Sequence, residues 1–163
     1  MMGKIKLLRI DSRLSHGETV KRWSKKYDLE NLIIANDRMM EDEFAREVMD
    51  LTIEKNIART YLNVDQVKDF LETHGGEYFV LVDSTHDLKK LLDQGLDIEN
   101  VNIGIMHLSI GKELLTEYIG VDASDIEVFN LLLEKNIRTS ARLSPFSEEI
   151  DLKDLLSKDY LSL

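Results

Sequence analysis

The chain of 163 residues contains no cysteine, which excludes disulfides and thiolate metal sites. It has one proline and eight glycines, too few for a linker-rich or disordered chain. No run approaches the ~18 consecutive apolar residues that a membrane helix needs. The opening MMGKIKLLRID lacks a long apolar stretch, so no signal peptide is expected. An excess of positive charge is lacking as well. The formal net charge is -10, and a nucleic-acid binder normally leaves a basic footprint. The carboxylates are spread along the chain, as solubility alone would have it. Hydrophobic residues make up 43%, enough for the core of one domain over 1–163. A cytoplasmic protein is the expectation.

Short apolar runs alternate with helical patterns. Strands are read at 4–10 (KIKLLRI), 31–37, 59–64, 78–83 (YFVLVD), 101–106 and 138–143. Helices are read at 18–28, 41–56, 64–76, 84–95, 122–136 and 148–158. In the second of these, Phe44, Val48 and Leu51 have the spacing of an inward face, with Ile53 as a further candidate. Ser84 or Thr85 caps the fourth helix, and Asp122 with Asp125 starts the fifth. Residues 108–121 fit neither pattern clearly, though TEYIG suits an edge strand. Strands separated by helices imply βαβ crossovers, hence a doubly wound α/β domain: a mostly parallel sheet with helices on both faces. Ligands of such sheets bind beyond the carboxyl ends of the strands. The residues to examine are therefore 11–17, 36–40, 83–86, 104–111 and 144–147.

Four histidines compete for a role. His74 precedes Gly75-Gly76 at a helix end, where capping explains it. His86 sits in a first helical turn and reads as surface. His107 follows a strand on the correct side of the sheet. His16 differs from all three, because it lies in the first strand-to-helix loop, RIDSRLSHGETVKRW (9–23). Free N–H groups at 17–20 and the helix dipole favour an anion there. Arg13 supplies a fork for phosphate oxygens. Ser12, Ser15 and Thr19 add hydroxyls, and Asp11 is placed to orient the ring or Arg13. Neutral imidazole is a good nucleophile near pH 7. The set suits a histidine that carries a phosphoryl group. The same residues also read as routine helix-entry caps with an Arg13–Asp11 pair, and spacing leaves both readings open. GIMHLSIGKE (104–113) lacks the spacing of a phosphate-binding P-loop, and no G-x-G-x-x-G follows the first strand. Nothing in the spacing supports zinc on His16, His107 and Asp37.

The loop 9–23 resembles the signature R-I/V-D-D-R-L-I-H-G-Q of the IIB component of the mannose/fructose/sorbose class of the bacterial sugar phosphotransferase system. LIIANDRMMEDEFAREVM, VNIGIMHLSIGKE, DIEVFNLLLEKNI and the R-x-x-P of 142–145 extend the likeness in colinear order over nearly the whole chain. The resemblance implies a doubly wound sheet and a phosphorylated histidine, falling on His16, with phosphate on Nδ1. It puts the adjacent arginine on Arg13 and the first aspartate on Asp11. Asn36 and Asp37 would border the same pocket. Gly17, Glu18, Thr19, Asn36, Asp37 and His107 are the expected binding residues.

The chain departs from that signature at Ser12, Ser15, Glu18 and Ile105. Glu18 is the notable one, since a carboxylate beside a phosphoryl group is unfavourable unless it points away.

The expected function is therefore that of a phosphocarrier enzyme. A IIA protein or domain would phosphorylate His16, and His16 would pass the group to a sugar on the IIC/IID membrane permease. Membrane association would be peripheral only, and a homo-oligomer is left open. The chemistry asks for no metal and no organic cofactor. Two alternatives stand beside it: a divergent docking or regulatory module without onward transfer, and a small-molecule or metal-dependent enzyme on the same scaffold.

Overall fold

A computed structural model describes residues 2–14 and 17–157. Seven strands form one sheet: β1 (Lys4–Ile10), β2 (Asn31–Ala35), β3 (Ala58–Leu62), β4 (Glu77–Val82), β5 (Asn100–Ile103), β8 (Arg138–Ala141) and β9 (Ile150–Asp151). Their spatial order is β3-β2-β4-β1-β5-β8-β9. All pairings are parallel except the last, where β9 runs antiparallel to β8. Two further strands, β6 (Glu113–Thr116) and β7 (Ile119–Val121), form a separate antiparallel hairpin. The ambiguous stretch 108–121 thus resolves into a loop and this hairpin.

The helices are α1 (Gly17–Tyr27), α2 (Asp37–Glu41), α3 (Glu43–Thr52), α4 (Val67–Thr73), α5 (Thr85–Asp93), α6 (Ala123–Glu134) and α7 (Leu152–Leu156). A 3-10 turn over Val64–Gln66 leads into α4. The caps read from the sequence are in place. Ser84 accepts from the Asp87 N–H, and Asp122 with Asp125 forms a capping box. His74 ends α4, its Nδ1 3.0 Å from the Phe70 carbonyl and its ring stacked on Phe70.

Each sheet face carries its own core. Leu8, Ile10, Ile33, Val80, Phe129 and Leu132 represent one. Leu7, Leu32, Ile34, Phe79, Val20 and Trp23 represent the other, beneath α1. Strands buried on both faces explain the near-continuous apolar runs.

Two expectations need correction. The helix expected at 41–56 is the shorter α3, separated from α2 over Asp37–Glu41 by Asp42, which caps α3 by accepting from the Ala45 N–H. Arg46 Nη1 then donates to the carbonyls of Met39 and Met40, at 2.6 and 2.8 Å. That clamp sets the roll of α3, so Ala45, Met49 and Ile53 pack inward. Phe44, Val48 and Leu51 face outward instead. At the other end of the chain, the last helix is shorter than 148–158, since residues 150–151 join the sheet edge as β9.

The chain leaves β1 toward the β2–β3 edge, and later passes from β4 to β5 toward the other edge. This topological switch lies at the carboxyl end of β1, where a doubly wound sheet opens a crevice.

Candidate functional site

The site starts from an anomaly in β1. Arg9 occupies an inward position on the α1 face, fully buried at 0% exposure. A buried guanidinium is costly unless all five of its N–H groups find acceptors. Here they do. Nε and Nη2 donate to Asp11 Oδ2 at 3.3 and 3.2 Å. Nη1 donates to Asn102 Oδ1 and to the Arg142 carbonyl, the latter at 2.9 Å. Nη2 also reaches the Leu143 carbonyl at 3.0 Å. The plane lies over Trp23, with Cζ 5.1 Å from the ring centroid. Burial pulls the Arg9 pKa down to about 10, against the opposing pull of Asp11. The group therefore stays charged at neutral pH.

One side chain thus joins the carboxyl ends of three strands. Asn102 is the register partner of Arg9 across β1 and β5. Gly104 completes the seat, since a Cβ there would lie 2.4 Å from Arg9 Nη2 and 2.6 Å from Cζ.

Asp11 passes this order outward. Its carboxylate is buried, with Oδ2 held by Arg9. Oδ1 accepts from the Arg13 backbone N–H at 2.9 Å and lies 3.4 Å from Arg13 Nε. Arg13 is partly exposed at 32%. Two guanidiniums against one carboxylate leave about one net positive charge beside the N-terminus of α1, a setting that favours an anion.

Ser12 ties this loop to the one after β5. Its N–H and Oγ both donate to the Ile105 carbonyl, at 2.8 and 3.1 Å. Its Oγ accepts from the His107 N–H at 3.0 Å. His107 is thereby fixed through its backbone beside the β1 loop, with its side chain exposed. The far end of that second loop is anchored by Lys112, whose Nζ lies 2.8 Å from Asp125 Oδ2. Asp125 is buried and also accepts from Thr85 Oγ1 at 2.5 Å. The lysine that fails as a P-loop lysine is thus a loop anchor.

Gly17, the first residue of α1, is buried. A Cβ there would sit 2.2 Å from the Thr52 carbonyl oxygen and 2.7 Å from its carbon. Because those are backbone atoms, no rotamer change relieves the clash. The glycine lets the start of α1 close onto the end of α3. Glu18 Oε1 accepts from Arg22 Nε at 3.1 Å, and the pair lines the same cleft as Arg13. Thr19 joins Arg13, Arg22, Trp23, Tyr118 and Ser144 around a cleft of about 290 Å³.

His16 and Ser15 lie outside the described residues. In the chain, His16 stands directly before Gly17. Asn36 and Asp37 are at the carboxyl end of β2, with β4 between them and β1. Asn36 Oδ1 caps α2 by accepting from the Met39 N–H, and Asp37 Oδ1 accepts from the Val64 N–H. Among the described residues no hydrogen bond joins either to Asp11 or Arg13. Also among them, no group of three or more metal-ligating side chains is assembled.

Residues 5–163 match the model of the PTS system sorbose subfamily IIB component. The chain belongs to this family. It is 28% identical over 157 residues to the N-acetylgalactosamine-specific phosphotransferase enzyme IIB component 2 of Escherichia coli, covering 95% of this chain and all of the relative. It is 27% identical to the mannose-specific EIIAB component of the same species, covering 94% of this chain and 49% of that one. The crystal structure of the IIBSor domain of the sorbose permease from Klebsiella pneumoniae superposes with a TM-score of 0.83. That match has 26% identity and covers 94% of this chain and 96% of the domain. A mostly parallel α/β sheet is therefore the family's fold, and phosphoryl transfer in sugar uptake is the family's work.

Sequence reasoning missed Arg9, Asn102, Gly104 and the Lys112–Asp125 anchor. A signal for the first two was present, since each is a polar residue inside an apolar strand. Their meeting depends on the β1–β5 register, which no local pattern encodes.

Proposed function

We propose that the chain is a phosphohistidine carrier, with His16 as the group that accepts and donates phosphate. A IIA protein or domain would be the donor, and a sugar on the IIC/IID permease the acceptor. In the first step the P–N bond of the donor breaks as a P–N bond to the His16 ring forms. In the second a sugar hydroxyl attacks, a P–O bond forms, the P–N bond breaks and the hydroxyl proton leaves. Such transfer runs through a loose transition state, so positioning and charge stabilisation do most of the work. Arg13 and the free N–H groups at the start of α1 are the groups for the equatorial oxygens. Asp11 holds Arg13, and Arg9 holds Asp11.

That Arg9–Asp11–Arg13 relay, ending beside α1, is the observation that carries the reading. The departures from the signature are compatible with it. Glu18 lines the cleft with its charge paired to Arg22, and Ser12 stitches two loops together. The described helices include none long and apolar enough to cross a membrane, which agrees with a cytoplasmic carrier that visits the membrane.

The test is direct. The protein is incubated with labelled phosphoenolpyruvate, enzyme I, HPr and a IIA protein from the same bacterium. An acid-labile phosphoryl group that vanishes in His16→Ala is expected. Absence of labelling, or equal labelling of His16→Ala, refutes the assignment.

A further inference from the structure

The outward face of α3 is built like an interface. Phe44, Val48 and Leu51 form an i, i+4, i+7 stripe, 75%, 40% and 87% exposed. Single exposed apolar residues mean little, but an aligned stripe of large ones is unusual. Its surroundings are strongly acidic. The segment 41–54 holds six carboxylates and one arginine, a net -5 against -10 for the whole chain. Asp50 pairs with Arg59 and Glu54 with Lys21. Glu41, Asp42, Glu43 and Glu47 have no cation within 4.0 Å among the described residues. The one cation within the segment, Arg46, is spent on the carbonyls of α2.

The stripe also ends where the chemistry begins. Leu51 is next to Thr52, whose carbonyl packs on Gly17 at the head of α1, directly after His16. Leu51 is thus one residue from the contact between α3 and the first residue of α1. A second copy of this chain is a poor occupant, because pairing the stripe with itself sets two acidic rims against each other. The fitting occupant is apolar at its centre and basic at its rim. Cytoplasmic loops of membrane proteins carry an excess of Lys and Arg close to the bilayer.

We propose that this face of α3 docks the cytoplasmic side of the membrane permease and brings His16 to the sugar. The inference rests on the carrier reading above. Attraction between the acidic rim and basic loops steers the approach and weakens with salt. The apolar stripe supplies the contact that desolvates on docking.

Inside-out vesicles holding the IIC and IID proteins of the same bacterium test the proposal. They are compared at rising concentrations of wild type and of the double variant Phe44→Ser/Leu51→Ser. Donor labelling of the double variant should stay within about twofold, since the proposal gives this face to the permease and not to the donor. Its KM in sugar phosphorylation should rise at least about tenfold, as expected for losing two central anchors, with kcat little changed. Glu43→Gln/Glu47→Gln should raise KM less and flatten its dependence on salt.

An unchanged KM in the double variant overturns the proposal. So does an equal loss of donor labelling, which assigns the face to the donor. A wild-type dimer that the double variant dissolves assigns it to a second copy and overturns it too. Wild type that takes up no label, or takes it up and never transfers it, strikes the carrier reading itself. The permease then falls with it as occupant.

Discussion

Replacing Arg9 by methionine removes one side chain that three strand ends share. The substitution keeps most of the volume and deletes all five donors. Asp11, 1% exposed, loses both of its bonds to the guanidinium. Asn102 Oδ1 and the carbonyls of Arg142 and Leu143 lose theirs. Breaking a buried pair from one side typically costs about 3–5 kcal/mol, because the remaining charge stays desolvated. For a domain of this size that lowers Tm by on the order of 10 °C. Thermal or urea unfolding of Arg9→Met measures the loss. The same measurement on Asp11→Asn and on the double variant completes a cycle. Part of the cost of Arg9→Met is a buried Asp11 charge left with Arg13 alone, so Asp11→Asn should hurt less in the Arg9→Met background. We expect a coupling of about 1–3 kcal/mol. Arg9→Lys should rescue only partly, since an ammonium cannot fill a planar five-donor seat. Donor labelling should slow in Arg9→Met even well below its melting temperature, because Arg13 loses its brace. A cost under about 1 kcal/mol, or strictly additive effects, would refute the reasoning that Arg9 works through Asp11.

Other perturbations give separate readouts. Gly17→Ala forces a Cβ onto the Thr52 backbone; overpacking of this kind costs about 1–3 kcal/mol, and displacement of the α1 start should slow labelling of His16 more than Tm alone explains. Glu18→Gln should leave the labelling rate within about twofold, because its carboxylate already pairs on the exposed helix surface; a large acceleration would show that Glu18 faces the phosphoryl group. The Asp87 carboxyl is pushed up to about 6 by burial first and by neighbouring Asp83 second. Its proton is held more tightly in the folded state than in the unfolded chain, so folding gains from protonation as pH falls through about 6 and pays for ionisation above it. Asp87→Asn should therefore raise Tm more at pH 7.5 than at pH 4.5, and an equal shift at both would remove Asp87 as the cause.

The fold was largely legible because each βαβ unit writes a local signal. YFVLVD is a strand buried on both faces, and Ser84 and Asp122 stop the chain where helices must start. The polar loop 11–17 could be singled out for the same reason, as the first interruption after an apolar strand. The network behind it was not legible. Arg9 meets Asn102 across 93 residues of sequence and the Arg142 carbonyl across 133. Only the strand order and register bring them together, and neither is a local property.

α3 shows the converse failure, where a clear local pattern pointed the wrong way. Periodicity identifies an apolar face but is blind to which way the helix is rolled. The roll was decided by Asp42 capping Ala45 and by Arg46 clamping α2, which commit Ala45 and Met49 to the core. The stripe at 44, 48 and 51 is then not needed for folding, yet it keeps helical spacing on an acidic surface. A run of large apolar residues left in water carries an aggregation cost without a folding gain. Pattern that does not serve the core is best explained by a second surface, and Leu51 puts that surface one residue from the contact of α3 with the head of α1.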